Sequence, residues 1–119
     1  MEECANILRY ATRNSLAIVD ELGRGTSTTD GVAIAYSVLR YLCEKLRCRV
    51  LFATHYHILL EYFRLYDEIR FCFMKTRIDE ITGEVIFLYK LTEGESSSSF
   101  GIKVAQMMRL PNEIIETSK

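Results

Sequence analysis

Apolar residues recur along this chain in two rhythms, and each change of rhythm marks an element. Residues 3–12 carry Cys4, Leu8 and Ala11 at four- and three-residue spacing, the repeat of a short amphipathic helix. Leu16-Ala-Ile-Val then runs unbroken into Asp20 and Glu21. Apolar on both faces, this run predicts a central strand of a covered, largely parallel sheet. The loop behind it, Leu22-Gly-Arg-Gly-Thr-Ser-Thr-Thr-Asp-Gly31, is rich in Gly, Thr and Ser. Thr29 or Asp30 can cap a helix reaching to about residue 46, because a side-chain oxygen there can accept the free N–H groups of the first turn. That helix is expected to bury Val32, Tyr36, Leu39, Cys43 and Leu46. Residues 49–54 read as a second apolar strand, and strand, helix, strand in this order predicts a crossover with the two strands parallel.

Beyond residue 57 the pattern changes. A short helix over 57–63 precedes two strands, 68–78 and 84–91, joined by Asp79-Glu-Ile-Thr-Gly83 as an antiparallel hairpin. Val85, Phe87, Tyr89 and Leu91 alternate with more mixed neighbours, so one face of the second strand is apolar. The polar run Glu93-Gly-Glu-Ser-Ser-Ser-Ser99 reads as a solvated loop. A helix over 100–110, with Val104 and Met107 or Met108 inward, leads to Pro111 in the first turn of a closing helix.

Length and composition narrow the function classes. A chain of 119 residues, 49% of them hydrophobic, is expected to form one core. The formal charge of −1 leaves no basic face for a phosphate backbone, so this stretch is not expected to bind nucleic acid directly. No apolar run approaches the roughly 20 residues that cross a bilayer. The N-terminus opens on Glu2-Glu3 and not on a basic then apolar leader, so no membrane partner is expected and the chain reads as soluble and intracellular. Cys4, Cys43, Cys48 and Cys72 lack paired spacing and read as reduced thiols. Cys43, Cys48, His55 and His57 could be assembled into a zinc site. Burial on the helix face shared with Leu39 and Leu46 accounts for Cys43 without a metal.

The chemistry concentrates at two strand ends. A parallel crossover delivers Asp20 and Glu21 at one carboxyl end and His55 at the other, on the sheet edge where α/β proteins hold ligands. There Asp20 can hold magnesium through its water shell, Glu21 can polarise a water attacking a γ-phosphate, and His55 can orient that water. A strand-end carboxylate can equally cap the next helix or turn, and the residues alone leave both roles open. The phosphate-cradling half of such a site, a Gly-rich loop with Gly-Lys-Ser/Thr, is missing, since no Gly here is followed by Lys. The chain is therefore expected to be part of an ATPase cut off upstream of residue 1. Gly23-Arg-Gly25 is no dinucleotide fingerprint, because Thr28 stands where a third Gly is needed. Gly23, Gly25 and Gly31 read as positions needing positive φ or close approach of a neighbouring chain. Arg24 reads as a solvated or interface charge, and His57 is left outside the site.

Val19-Asp-Glu-Leu-Gly-Arg-Gly-Thr-Ser-Thr-Thr-Asp-Gly31, followed by Leu51-Phe-Ala-Thr-His-Tyr-His57, closely resembles the ATPase domain of the MutS family of DNA mismatch-repair proteins. The resemblance covers almost the whole chain. It implies a partial P-loop NTPase fold of the ABC ATPase type, with a mostly parallel sheet, a C-terminal antiparallel hairpin and a helix-turn-helix, and without the Walker A strand, loop and helix. It further implies that residues 1–92 belong to the ATPase domain, with Asp20 as the Walker B acid on magnesium, Glu21 as catalytic base and His55 as switch histidine. Gly25, Thr26, Ser27 and Thr28 would lie on the loop that runs along a partner subunit beside ATP. The three hydroxyls can serve that interface or only the backbone of their own turn. Residues 93–119 would be the Ser-rich loop and the helix-turn-helix used in dimerisation. Thr54-His-Tyr-His57 and Phe87-Leu-Tyr-Lys90 are most similar to the large, mismatch-recognising subunits of the eukaryotic MutS-alpha type, which implies a heterodimer partner, a nuclear location and mismatched DNA bound through domains absent here. The competing readings are a non-enzymatic dimerisation or docking module whose carboxylates are relics, and another ABC-type ATPase head. The latter usually carries Pro soon after its Asp-Glu pair, whereas Leu22-Gly-Arg-Gly follows here.

Overall fold

In the computed structural model, which describes residues 1–96 and 100–118, the apolar run at 16–20 and the run at 49–53 pair as parallel strands. Strand β1 (Leu16–Asp20) lies in register with β2 (Arg49–Ala53), Leu16 opposite Arg49 and Asp20 opposite Ala53. The carboxyl ends of the two strands are therefore level. Helix α1 (Glu2–Tyr10) precedes β1, and helix α2 (Thr28–Tyr41), prolonged by a π-helical turn at Leu42–Leu46, connects the strands. The crossover expected from the pattern is present.

Only one face of this strand pair is covered. Ala17 and Val19 are buried, and Val19 joins Leu22 and Leu42 in a core that gathers Cys4, Ile7 and Leu8 of α1, Ile34 and Val38 of α2, and Val50 and Phe52 of β2. Leu16, Ile18 and Leu51 on the other face are 60%, 67% and 60% exposed. The expected parallel pairing is present, and the expected cover on both faces is corrected: among the described residues this sheet holds two strands, with Leu16, Ile18 and Leu51 exposed on its second face. Covering each of those side chains would add about 1.5–3 kcal/mol.

Helix α2 also turns differently from the stripe read from sequence. Gly31, Ala35 and Leu42 are buried, while Val32, Tyr36, Leu39, Cys43 and Leu46 stand at intermediate exposure. Small residues form the line of closest approach because they let the helix backbone move in, and the larger apolar residues flank that line. The cap is corrected too. Ser27, not Thr29 or Asp30, occupies the N-cap, its Oγ accepting from the Asp30 amide at 3.2 Å. Ser27→Ala is expected to cost the chain about 1 kcal/mol in denaturant unfolding, whereas Thr29→Ala should be close to neutral.

The C-terminal end of the helix is tied down by its surface. Arg47, left-handed at φ 51°, donates its amide to the Leu42 carbonyl and closes the π-turn. Glu44 accepts from Arg40 Nε and from the Tyr66 hydroxyl, each at 2.9 Å, and both donors hold its carboxyl below the usual range. Burial, first of all, pushes the Cys4 and Cys43 thiols up, which disfavours thiolate at either. Helix α3 (Ile58–Phe63) buries Leu59 and Phe63, with the Phe63 ring 5.3 Å from Tyr36 and 5.0 Å from Tyr66.

Residues 1–69 form one compact unit and residues 70–119 a second, where a single core was expected. In the second unit β3 (Cys72–Ile78) pairs antiparallel with β4 (Val85–Glu93). The strand β3 begins four residues later than the predicted start at 68. Asp79 Oδ1 accepts the amides of Ile81 and Thr82, both at 2.9 Å, and so shapes the hairpin turn. Met74 faces Leu91 and Thr76 faces Phe87, so Lys75 is opposed by three residues, a bulge with Tyr89 at φ 52°. The expected alternation stops there: Val85 is buried, but Tyr89 and Leu91 are 84% and 70% exposed. Helices α4 (Gly101–Met107) and α5 (Asn112–Thr117) touch, separated by a turn with Arg109 at φ 58°. Val104 is half-buried and Met108 points outward, and Pro111 sits at the N-cap of α5. Ser97 to Ser99 of the expected loop lie outside the described residues. Among the described residues no helix is long and apolar enough to cross a membrane.

Candidate functional site at the strand ends

The level ends of β1 and β2 bring distant residues together. The ladder runs one step past Asp20, the Glu21 amide donating to the Ala53 carbonyl at 3.0 Å, and there the chain bends: Glu21 has φ 47°, in the left-handed region. Extended neighbours point to opposite sides of a strand. The bend removes that constraint, and Asp20 and Glu21 both line a cleft bounded by Ile18, Val19 and the 22–24 turn on one side and by Met1, Glu3, Cys4 and Ile7 on the other. From β2, His55 Nδ1 comes to 3.8 Å from Glu21 Oε1, an ion pair only when the imidazole is protonated. Of the residues read from sequence, Asp20, Glu21 and His55 are thus assembled at one edge.

The loop residues have more local placements. Arg24 donates its amide to the Glu21 carbonyl at 3.1 Å, closing a turn whose third position is Gly23 at φ 92°, where a type II turn needs positive φ. Gly25 has φ 91° and open space around it. Thr26 and Thr28 are exposed, and the Ser27 hydroxyl is engaged in capping. Gly31 does take a close approach, from Tyr56 and Gly23 of its own chain.

The donor set bears on which metal fits. Among the described residues no group of three or more His, Cys, Asp and Glu side chains is placed to hold a metal ion. An exposed single carboxylate at a strand tip, Asp20, suits magnesium, which keeps most of its waters and takes further ligands from phosphate. A phosphate cradle does not come from these residues, which contain no Gly-Lys pair.

Compared with known proteins, the chain matches MutS domain V over residues 1–119. It belongs to the MutS family. The DNA mismatch repair protein MSH7 of Arabidopsis thaliana is 49% identical over 98% of this chain and 11% of its own length. The DNA mismatch repair protein MutS of Finegoldia magna is 42% identical over 100% of the chain and 14% of its own length. The DNA mismatch repair protein MSH6 of Arabidopsis thaliana is 45% identical over 98% of the chain and 9% of its own length. The chain therefore spans a small part of each relative.

Two side chains of this MutS domain V escaped the sequence reading. Arg24 is not merely solvated: its Nη1 donates to Glu21 Oε2 at 2.6 Å. With Arg24 77% and Glu21 40% exposed, solvent screens the pair, and its worth lies in orienting the carboxylate more than in stability. The signal was a Gly at the third position of a four-residue stretch beginning with Glu and ending with Arg, which makes a turn that sets the first and last side chains together. In the sequence Tyr56 stands out only as part of the Thr-His-Tyr-His string. Its hydroxyl donates to the Gly23 carbonyl at 3.1 Å, and no local pattern announces a contact across 33 residues.

Proposed function

We propose that this MutS domain V segment is the metal- and water-handling half of a mismatch-repair ATPase that couples ATP turnover to signalling on mismatched DNA. The observation that carries the reading is the meeting of Glu21 with His55 at 3.8 Å on the carboxyl edge of a parallel strand pair, with Asp20 next to Glu21 at the end of β1. Asp20 would hold magnesium through water, Glu21 would draw the proton from the attacking water, and His55 would orient that water against the γ-phosphate. When bound, the metal supplies charge neutralisation at the phosphates.

The cradle for ATP must come from outside these residues, so the chain alone should bind and hydrolyse ATP poorly. The bare face carrying Leu16, Ile18 and Leu51 is where further layers of such a domain would pack. In this reading residues 1–92 serve the nucleotide, with Gly25, Thr26, Ser27 and Thr28 facing a partner subunit, and residues 93–119 serve dimerisation with a MutS-family partner. Mismatched DNA is bound by other domains, and nuclear residence belongs to the same proposal, resting on the resemblance to the eukaryotic large subunits.

Magnesium titration tests the metal role. In a full-length MutS protein carrying this segment, Asp20→Asn is expected to raise the magnesium concentration for half-maximal ATP turnover by about tenfold, the usual cost of losing a carboxylate that acts through the metal's water shell. An unchanged magnesium requirement would remove Asp20 from the site.

A further inference from the structure

Among the residues at the strand ends, Tyr56 is buried while its neighbours His55 and His57 are exposed. Its hydroxyl donates to the Gly23 carbonyl, at the base of the loop that follows β1. Gly31, at the other end of that loop, packs so closely on the same hydroxyl that a Cβ there would collide with it. A Cβ on Gly23 would in turn fall 2.6 Å from the Gly31 carbonyl oxygen. Gly23, Gly31 and Tyr56 therefore interlock, and the 23–31 loop is a ring whose two ends are clasped against one phenol. The Gly31 amide, donating to the Ser27 carbonyl at 2.9 Å, ties the same junction to the start of α2.

The same residue also meets the histidine. The Tyr56 and His55 rings lie 4.4 Å apart, and the Tyr56 amide donates to Thr54 Oγ1 at 3.0 Å. Past Asp20, the chain after β1 is held to β2 and the loop behind it by the Glu21 amide on Ala53, the last step of the ladder, and by this hydroxyl. The first holds only backbone. The second holds the turn that carries Glu21 and Arg24, and it does so from the residue adjoining His55.

We infer that Tyr56 is a positioning residue for nucleotide hydrolysis, pinning the base of the 23–31 loop to the tip of β2 so that Glu21 and His55 keep one spacing. It acts through the Gly23 carbonyl and the His55 ring. The inference rests on the ATPase reading given above.

Tyr56→Phe isolates the hydroxyl, because it keeps the ring against His55 and removes only the donor. A buried carbonyl left without its donor shifts a local closing equilibrium by roughly tenfold. In a full-length MutS protein carrying this segment, that shift is shared between loss of the closed loop and gain of the open one, so kcat for ATP is expected to fall about threefold with KM for ATP unchanged, and the amides of residues 21–31 to exchange with deuterium about threefold faster. Gly31→Ala, which displaces the hydroxyl from the opposite side, should reproduce both effects, so the test survives poor folding of either variant. A role in stability alone would lower the melting temperature while leaving kcat per folded molecule at the wild-type value, and that result overturns the proposal. Wild-type exchange in the loop overturns it as well. Glu21→Gln measured alongside separates the two readings: if it abolishes turnover while Tyr56→Phe retains the full rate, only the positioning role fails. If Glu21→Gln is itself silent, the ATPase reading fails and takes the positioning role with it.

Discussion

Glu21→Gln is expected to slow ATP hydrolysis by about 10²–10⁴-fold in a full-length MutS protein carrying this segment while leaving ATP affinity unchanged. The amide keeps the size and backbone preference of the side chain but cannot take a proton. Arg24 already engages Oε2, so the loss falls on Oε1, the oxygen turned toward His55. Affinity is expected to be spared because, on the proposed reading, the phosphate cradle is not supplied by these residues, which contain no Gly-Lys pair. Single-turnover hydrolysis and equilibrium ATP binding, measured on the same preparation, check both halves. Turnover at the wild-type rate would favour the docking-module reading, in which the twin acids are relics.

Phe63→Ala is expected to cost about 3–5 kcal/mol of stability, the largest loss available to a single side chain in the first unit. Phe63 is 1% exposed and lies between the rings of Tyr36 and Tyr66, so it holds α3 and the chain after it against α2. Deleting the ring leaves a cavity bordered by two aromatics that α2 and the Glu44 hydrogen bond hold in place, which limits collapse. Against a typical total of about 5–15 kcal/mol, that loss should bring the unit close to unfolding at ambient temperature. Urea denaturation followed by circular dichroism measures it. A midpoint shift worth less than about 1 kcal/mol would mean that Phe63 is not a core residue.

The parts of this fold that sequence pattern reached are those governed by local periodicity. Leu16-Ala-Ile-Val and Val50-Leu-Phe-Ala could be recognised as strands from their apolar runs, and a helix between them left parallel pairing as the natural arrangement. Level strand ends then put Asp20, Glu21 and His55 at one edge, so the meeting of these three is legible in the sequence. What escaped was decided by contacts distant in sequence. Five consecutive residues from Thr26 to Asp30 can each cap a helix, and the choice of Ser27 depends on where Gly31 must sit to meet Gly23 and Tyr56. The buried line of α2 runs through Gly31 and Ala35 for the same reason, since hydropathy favours large residues and a tight interface favours small ones. In β4, strict alternation concealed the bulge at Tyr89 because a bulge changes register without changing composition. Apolarity on both faces of β1 was read correctly as a property of the residues, yet these residues supply a cover for only one of them.

The backbone at Glu21 sets fold and chemistry against each other. A side chain other than glycine at φ 47° costs about 1–2 kcal/mol. Glycine or asparagine would adopt that bend more easily, but neither offers a carboxylate. With Glu21 as the base proposed above, position 21 is one where selection for heat resistance and selection for turnover would choose different amino acids, and a thermostabilised variant gained there is expected to lose turnover.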